Sequence, residues 1–442
     1  MFKLLPSRTI LIVGLSLIYL QLNAQSLSER LTGVFSEVLE LKLAGSPGEH
    51  GEHFKPANVQ SSGATINALT NFIGRNISSI PLSSTVAGLT FDFSTGVPVA
   101  TTTSLGPIFA ERAQTLGSGR FNIGFNFSYL NMSKLRGINT GDMRFTFVHQ
   151  DVGQPGMGDS QNEFDTIDLF MNLDLNATVL AFYLTVGITN RLDIGVAVPM
   201  VNVHMEATPL ASIDSYTYLM SDTANHNFGD DPTNPVLTSN PEPINDDATG
   251  IGDIAIRAKY NFYKGNDVNF SALVDFRPPT GDDKNFLGAG KSSYRGMLIT
   301  SATLGSFSPH LNLAYAHQGG IQDRDGIEVS VGYDQKVTEW LTLAADFLGS
   351  YEVSSNKEFQ FPSENIVIEG TPLIHHIPKY VKKEVSLTNI PYFSHDNLSN
   401  GSFGFRVNPK KEMIFVANVI IPFNDAGLRS TFIPTVGFEF SF

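Results

Sequence analysis

The chain has 442 residues, 16% of them charged and 11% aromatic, with a formal net charge of −14 and no cysteine. Such an acidic chain lacks the basic surface that nucleic-acid phosphates require, and without cysteine it has no disulfides, no thiolate metal ligands and no lipid anchor on sulfur. Charge falls well short of the roughly 25% usual in soluble domains, yet no stretch after residue 24 is apolar over the ~20 residues a membrane helix needs. A chain whose apolar residues are spread over alternating positions satisfies both constraints.

The N-terminus reads as a secretory signal. Lys3 and Arg8 form a basic start, Ile10 to Leu20 is an apolar run too short to span a bilayer, and Leu22-Asn23-Ala24 supplies the small residue before a cut. The expected mature chain begins at Gln25, which gives three units: a signal peptide over 1–24, an N-terminal segment over 25–118 and a β-barrel over 119–442. Ser26 to Ala44 predicts a helix. Ser26 and Glu29 have capping-box spacing, Leu27, Leu31, Val34, Phe35 and Val38 recur at the helical period, and Gly45-Ser46-Pro47-Gly48 stops it. For Gln25–Ile80 a plug and a periplasmic tail are both open; Ser79–Gly117 is expected at least partly inside the barrel.

From Gly119 the period becomes two. Phe121, Ile123, Phe125, Phe127 and Tyr129 alternate with Asn122, Gly124, Asn126 and Ser128, one face apolar and the other polar. Strands are expected at Gly119–Met132, Phe164–Ile188, Leu192–Met205, Ile251–Phe262, Val268–Arg277, Arg295–Leu304, His310–Gln318, Gly326–Gln335, Trp340–Glu352, Gly401–Asn408, Met413–Pro422 and Arg429–Phe442. The apolar parity of Phe164–Ile188 changes near Ala177, from odd (Ile167, Leu169, Met171, Leu173) to even (Leu180, Phe182, Leu184). A β-bulge would produce that slip; two strands with a tight turn is the alternative.

Tight connections such as Thr189-Asn190-Arg191 alternate with long ones such as Ser133–Glu163, Glu206–Gly250 and Val353–Asn400. This alternation sorts turns to one rim and loops to the other. It points to an all-β, transmembrane, antiparallel up-and-down barrel of the bacterial outer membrane, with an even count of about twelve strands (twelve to fourteen). The last strand ends on Phe438, Phe440 and Phe442 on one face, an alternating aromatic end of the kind read by the barrel-assembly machinery. Membrane lipid and lipopolysaccharide are the other expected partners.

The stretch SLGPIFAERAQTLGSGRF (Ser104–Phe121), VGITNRLDIGVAVPMV (Val186–Val201), KVTEWLTLAADF and DAGLRSTFIPTVGFEFSF resemble barrels of the phenol-degradation meta-pathway group and, more distantly, FadL-type transporters of hydrophobic compounds. The resemblance covers most of the chain from about Ser79. It implies passive uptake of small hydrophobic solutes, with the segment before the barrel folded into the lumen. The Asn-Pro-Ala element of fatty-acid transporters is absent; Pro56-Ala57-Asn58 has another order. A structural or adhesive barrel with partner-binding loops is the alternative function.

On the face opposite the lipid the alternation places Asp253, Arg257, Lys259, Asp275, Arg277, Glu328, Asp334, Asp346, Arg406 and Glu439. A basic residue near the bilayer midplane costs about 2–4 kcal/mol, so these charges belong in the lumen, pairing across it or lining a path. His50 and His53 in GEHGEHF and the adjacent His375-His376 lack the His-Glu-x-x-His order of a zinc protease. The acidic pairs Asp230-Asp231 and Asp246-Asp247, with Asp323-x-Asp325-Gly326, complete no EF-hand. His149 and His204 near the outer rim have no nucleophile tied to them. No cofactor, metal or catalytic site is expected.

Overall fold

The computed structural model describes residues 25–38, 54, 66, 68–74, 91–92, 99–100, 104–106, 109–149, 164–319, 324–354, 361, 365–371, 373–374, 377–410 and 413–442. The expected signal peptide, His50, His53 and His375-His376 lie outside them.

Twelve strands form the wall: β1 (Phe121–Leu135), β2 (Thr166–Gly187), β3 (Leu192–Asp214), β4 (Ala255–Lys264), β5 (Val268–Arg277), β6 (Ser293–Ala302), β7 (Phe307–Gln318), β8 (Arg324–Lys336), β9 (Leu341–Glu352), β10 (Leu398–Lys410), β11 (Met413–Pro422) and β12 (Ile433–Ser441). Each pairs antiparallel with the next, and β12 returns to β1 from Thr435↔Ser128 to Ser441↔Asn122. The seam ends with Phe121 N–H donating to the Phe442 carbonyl (2.8 Å) and Phe442 N–H to that of Phe121 (3.0 Å). Closure leaves no free edge, which a sheet in lipid requires.

The pleat then sorts the side chains. In β1, Phe121, Ile123, Phe125, Phe127 and Tyr129 project outward and are about two-fifths exposed, while Asn122, Asn126 and Ser128 are buried in the lumen. The outward set continues through Phe182, Leu184, Ile256, Val274, Leu298, Leu313, Val331, Leu343, Phe405 and Val436. Phe438, Phe440 and Phe442 lie on this outer face, with the rings of Phe438 and Phe440 edge-on at 4.7 Å. The protein is therefore an outer-membrane barrel, with its tight turns at the periplasmic rim and its long loops outside.

β2 carries no bulge and is not two strands. Its register against β3 is unbroken from Thr166↔Asp214 to Gly187↔Asp193, and against β1 from Phe121↔Val186 to Asn131↔Asn176. Odd residues face inward along its whole length. What changes near Ala177 is the surroundings. A tilted strand needs about 9–11 residues to cross a bilayer, and β2 has 22. Leu180, Phe182 and Leu184 point outward into lipid; beyond the membrane Asp168, Asn172 and Asp174 point outward into water, and Ile167, Leu169, Met171 and Leu173 point inward into a core. β3 does the same and runs nine residues past the expected Met205, to Asp214.

The raised parts of β2 and β3 are flanked by two further strands, Met143–Val148 on β2 and Ile244–Ile251 on β3. Their inner face packs against the N-terminal segment. Helix α1 (Leu27–Val38) buries Leu27, Leu31, Val34 and Phe35 there, with Phe35 edge-on to Phe145 at 5.2 Å. Its start is capped as expected: Ser26 N–H donates to Glu29 Oε2 (3.0 Å) and Glu29 N–H to Ser26 Oγ (3.3 Å). Arg30 pairs with Asp246 (2.9 Å), and the Ser28 amide donates to the Lys284 carbonyl in the β5–β6 loop. The helix thus lies at the extracellular end, away from the periplasmic rim.

Candidate functional site

A strap, residues 104–118, runs through the lumen from below that core to the periplasmic rim. Its backbone is not in a sheet, so the wall side chains satisfy it. Glu111 N–H donates to Asn312 Oδ1 (2.7 Å), and Asn312 Nδ2 returns a bond to the Glu111 carbonyl (2.9 Å). The Ala113 amide donates to Ser301 Oγ (3.1 Å), while its carbonyl accepts from Asn261 Nδ2 (2.8 Å) and from Ser271 Oγ. The Leu116 amide donates to the Asp193 carboxylate (3.0 Å), and the Leu105 amide to Thr342 Oγ1 (3.0 Å). Buried backbone groups left unpaired would each be costly; six strands remove that cost.

Charges clamp the same segment. Arg112 Nη2 bonds Asp334 Oδ2 at 2.7 Å and also reaches Ser104. Glu111 lies 3.7 Å from both Arg257 Nη1 and Lys259 Nζ, and Lys259 also donates to the Arg112 carbonyl (3.2 Å). Around this clamp the wall pairs with itself. Asp275 receives Arg257 (3.0 Å), Arg277 (3.2 Å) and Arg295 (2.7 Å); Arg295 also meets Glu328 (3.2 Å). His310 Nε2 meets Asp346 (2.6 Å), and Arg406 meets Glu439 (2.9 Å) with both side chains sealed from solvent.

Of the residues singled out from sequence, Arg257, Lys259, Asp275, Asp334, Asp346, Arg406 and Glu439 are buried in the lumen; Arg277 and Glu328 are half-buried at its upper end. Asp253 stands just before β4, where its carboxylate accepts the amides of Gly281 (3.0 Å) and Ala289 (2.7 Å) and fixes the β5–β6 loop. Sequence reasoning missed Glu111, Arg112, Asp193, Arg295 and His310. Glu111-Arg112, adjacent opposite charges in an otherwise uncharged stretch ahead of the first strand, was the available signal.

Glycine lets the strap touch the wall. A Cβ on Gly187 would overlap the Gly117 carbonyl, and Gly117 and Gly119 take φ of +95° and +74° to turn the chain into β1. Gly187→Ala is expected to push the strap off β2, read as faster periplasmic-side proteolysis between Thr115 and Arg120 in the otherwise folded barrel. An unchanged digestion rate would mean that the contact is not needed to seat the strap.

Above the clamp, the lumen holds a cavity of about 270 Å³. Phe72 of the N-terminal segment borders it from the extracellular side, stacked on Phe361 at 5.6 Å. Phe109 of the strap borders it from the periplasmic side, packed beside Leu105, Ala344, Ile414 and Val416. Leu130, Met297, Leu348 and Ile433 make its apolar wall; Arg277, Arg295, Glu328 and Arg429 make its polar one. Burial draws the Arg429 guanidinium, which lies beyond the membrane-spanning strands, down to about 10, partly offset by Asp425 and Asp396.

Two clusters beyond the membrane hold the roof. Arg136, at φ +48°, bonds Asp396 through Nε (3.0 Å) and Nη2 (2.7 Å) and the Pro391 carbonyl through Nη1 (3.1 Å). Its guanidinium lies 5.0–5.6 Å from the ring centres of Phe72, Phe361 and Phe393. The second joins His149, His226 and Asp165, with Phe54 edge-on to both imidazoles at 5.1 Å. Burial pushes the Asp165 carboxyl up, but the His226 bond and charge and the Thr217 bonds outweigh it and leave it lowered. Ser215 reaches Asp165, so the group holds the turn into the short helix Tyr216–Ser221.

Residues 152–365 match the family model described as Putative MetA-pathway of phenol degradation. Over that span the chain is similar to that family. The span begins in the β1–β2 connection and includes β2 to β9, so it takes in the Arg257–Asp275–Arg295 cluster but not the strap. No curated protein matches the chain. Among solved structures, an outer membrane channel from Pseudomonas putida F1 is similar at 11% identity and TM-score 0.40, over 75% of this chain and 98% of that one. A monoaromatic hydrocarbon channel, a TodX mutant, gives 11% identity and TM-score 0.32 over 75% and 92%. A Pseudomonas aeruginosa FadL homologue gives 10% identity and TM-score 0.31 over 73% and 89%.

Proposed function

We propose that the barrel is a passive channel through which small, largely apolar solutes cross the outer membrane, with the strap as its periplasmic gate and no chemical step on the way. The cavity between Phe72 and Phe109 carries this reading. Its size suits one compact molecule: an engineered apolar cavity of about 150 Å³ already takes benzene. A purely structural barrel would have its lumen filled by side chains, whereas here a solute-sized space persists beside apolar walls. Lipopolysaccharide resists apolar solutes, which gives a dedicated route its purpose. The family matched over residues 152–365, described as Putative MetA-pathway of phenol degradation, points the same way. Lipopolysaccharide around the wall and the barrel-assembly machinery acting on Phe438, Phe440 and Phe442 are the partners this reading requires.

The test is uptake of labelled aromatic and aliphatic compounds by intact cells lacking the protein. Uptake of at least one compact apolar class is expected to slow severalfold and to recover with the wild-type chain. Equal rates with and without the protein, across both classes, would remove the channel reading.

A further inference from the structure

We propose that the cavity binds the carboxylate of a compact organic monoanion on Arg429, with the solute's apolar body against Leu130, Leu398, Ile420 and Ile433. The proposal rests on the channel reading and narrows its solute class. Arg429 lies on the short strand Leu428–Ser430 that pairs with the top of β1, lines the cavity and is only 8% exposed. Its Nε donates to the Asn424 carbonyl (3.3 Å), and its Nη2 to the Ser399 carbonyl (3.0 Å) and Asn424 Oδ1 (2.7 Å). All three acceptors are neutral. Nη1 has no partner among the described residues, and no carboxylate there comes within ion-pair distance of the group.

The cavity's other charges are already committed. Arg277 and Arg295 pair with Asp275, and Arg295 also with Glu328; Asp253 accepts two loop amides; Asp396 is held by Arg136 and the Gly427 amide (2.9 Å). A buried guanidinium whose nearest carboxylates, Asp425 and Asp396, stand beyond ion-pair distance is costly, and an entering anion reduces that cost. One free N–H face, with Asp396 and Asp425 nearby, suits a single negative charge and disfavours a dianion. A carboxylate accepts from guanidinium in the required plane, and about 270 Å³ admits one ring or a short branched chain rather than a long acyl chain.

Benzoate and its neutral isostere benzamide are the probes, titrated into the purified full-length protein in detergent at pH 8 and followed by calorimetry. Wild type is expected to bind benzoate at least tenfold more tightly than benzamide. Arg429→Gln is expected to lose that preference while leaving benzamide unchanged, and Arg429→Lys to keep part of it. Equal binding of the two probes by wild type, no binding of either, or an Arg429→Gln variant that keeps the preference would each overturn the assignment. The wild-type comparison decides alone if the variants do not fold. Cell uptake of neutral aromatics, measured separately, judges the channel reading, so that reading survives a failure here.

Discussion

Deleting residues 104–117, so that the N-terminal segment joins β1 without its strap, is expected to turn a nearly closed barrel into a water-filled pore. Eight strands leave a lumen that side chains fill, and sixteen or more leave an aqueous channel; twelve leave more room than inward side chains alone occupy. The strap takes up that room in the periplasmic half. Without it, Arg257, Lys259, Asp334 and Asn312 lose Glu111, Arg112 and the strap backbone as partners and gain water instead. Single-channel conductance in planar bilayers should rise on the order of tenfold, since an aqueous lumen replaces a packed one. Arg112→Ala is the milder version. It leaves Asp334 buried beside Ser104, and breaking one side of a buried pair costs about 3–5 kcal/mol, so brief openings should appear in a barrel that is otherwise closed. Unchanged conductance in the deletion would show that the strap does not restrict the lumen.

The second large effect is expected at Arg136. Arg136→Ala removes a cation with both side-chain partners sealed from solvent and leaves Asp396 without its counter-charge. The cost is again about 3–5 kcal/mol, with the loss of three ring contacts added to it. The effect should be local. The membrane part closes through β1–β12 pairing and does not depend on Arg136. The roof does, because Phe72, Phe361, Phe393 and the Pro391–Asp396 loop converge on this guanidinium. Protease added to intact cells should therefore cleave the loop between β9 and β10 far faster in the variant, while the barrel keeps its heat-modifiable migration on gels. Asp396→Asn, which keeps the shape and removes the charge, should fall between. Wild-type protection in Arg136→Ala would mean that the roof is held by apolar packing alone.

The wall was legible because lipid imposes one rule on every strand. Alternating Phe and Asn in β1, tight Thr189-Asn190-Arg191 and the aromatic end at Phe442 each follow from local chemistry. β2 was misread for an instructive reason. A change of apolar parity looks like a slip of register when the surroundings are assumed constant; here the register holds and the solvent outside changes from lipid to water. The position of α1 was illegible because its helix signal says nothing about which end of the barrel it packs on. Arg136 was illegible too, since its partners Phe72 and Asp396 lie 64 residues before it and 260 after it. Of the site, the wall half could be read and the strap half could not: Glu111 and Arg112 belong to no strand, and only their wall partners reveal what they do.

The path of the N-terminal segment also constrains how the molecule is made. Helix α1 sits at the extracellular end and the strap leaves at the periplasmic rim, and a continuous ring of hydrogen-bonded strands surrounds the strap. Pulling the helix through a finished ring would drag Phe35 and Leu31 past the Arg257–Asp275 and Arg406–Glu439 pairs. An order of assembly in which β12 meets β1 last, around the segment, would avoid this. The seam at Phe121 and Phe442 is then expected to be the final step of folding, made with the strap already inside.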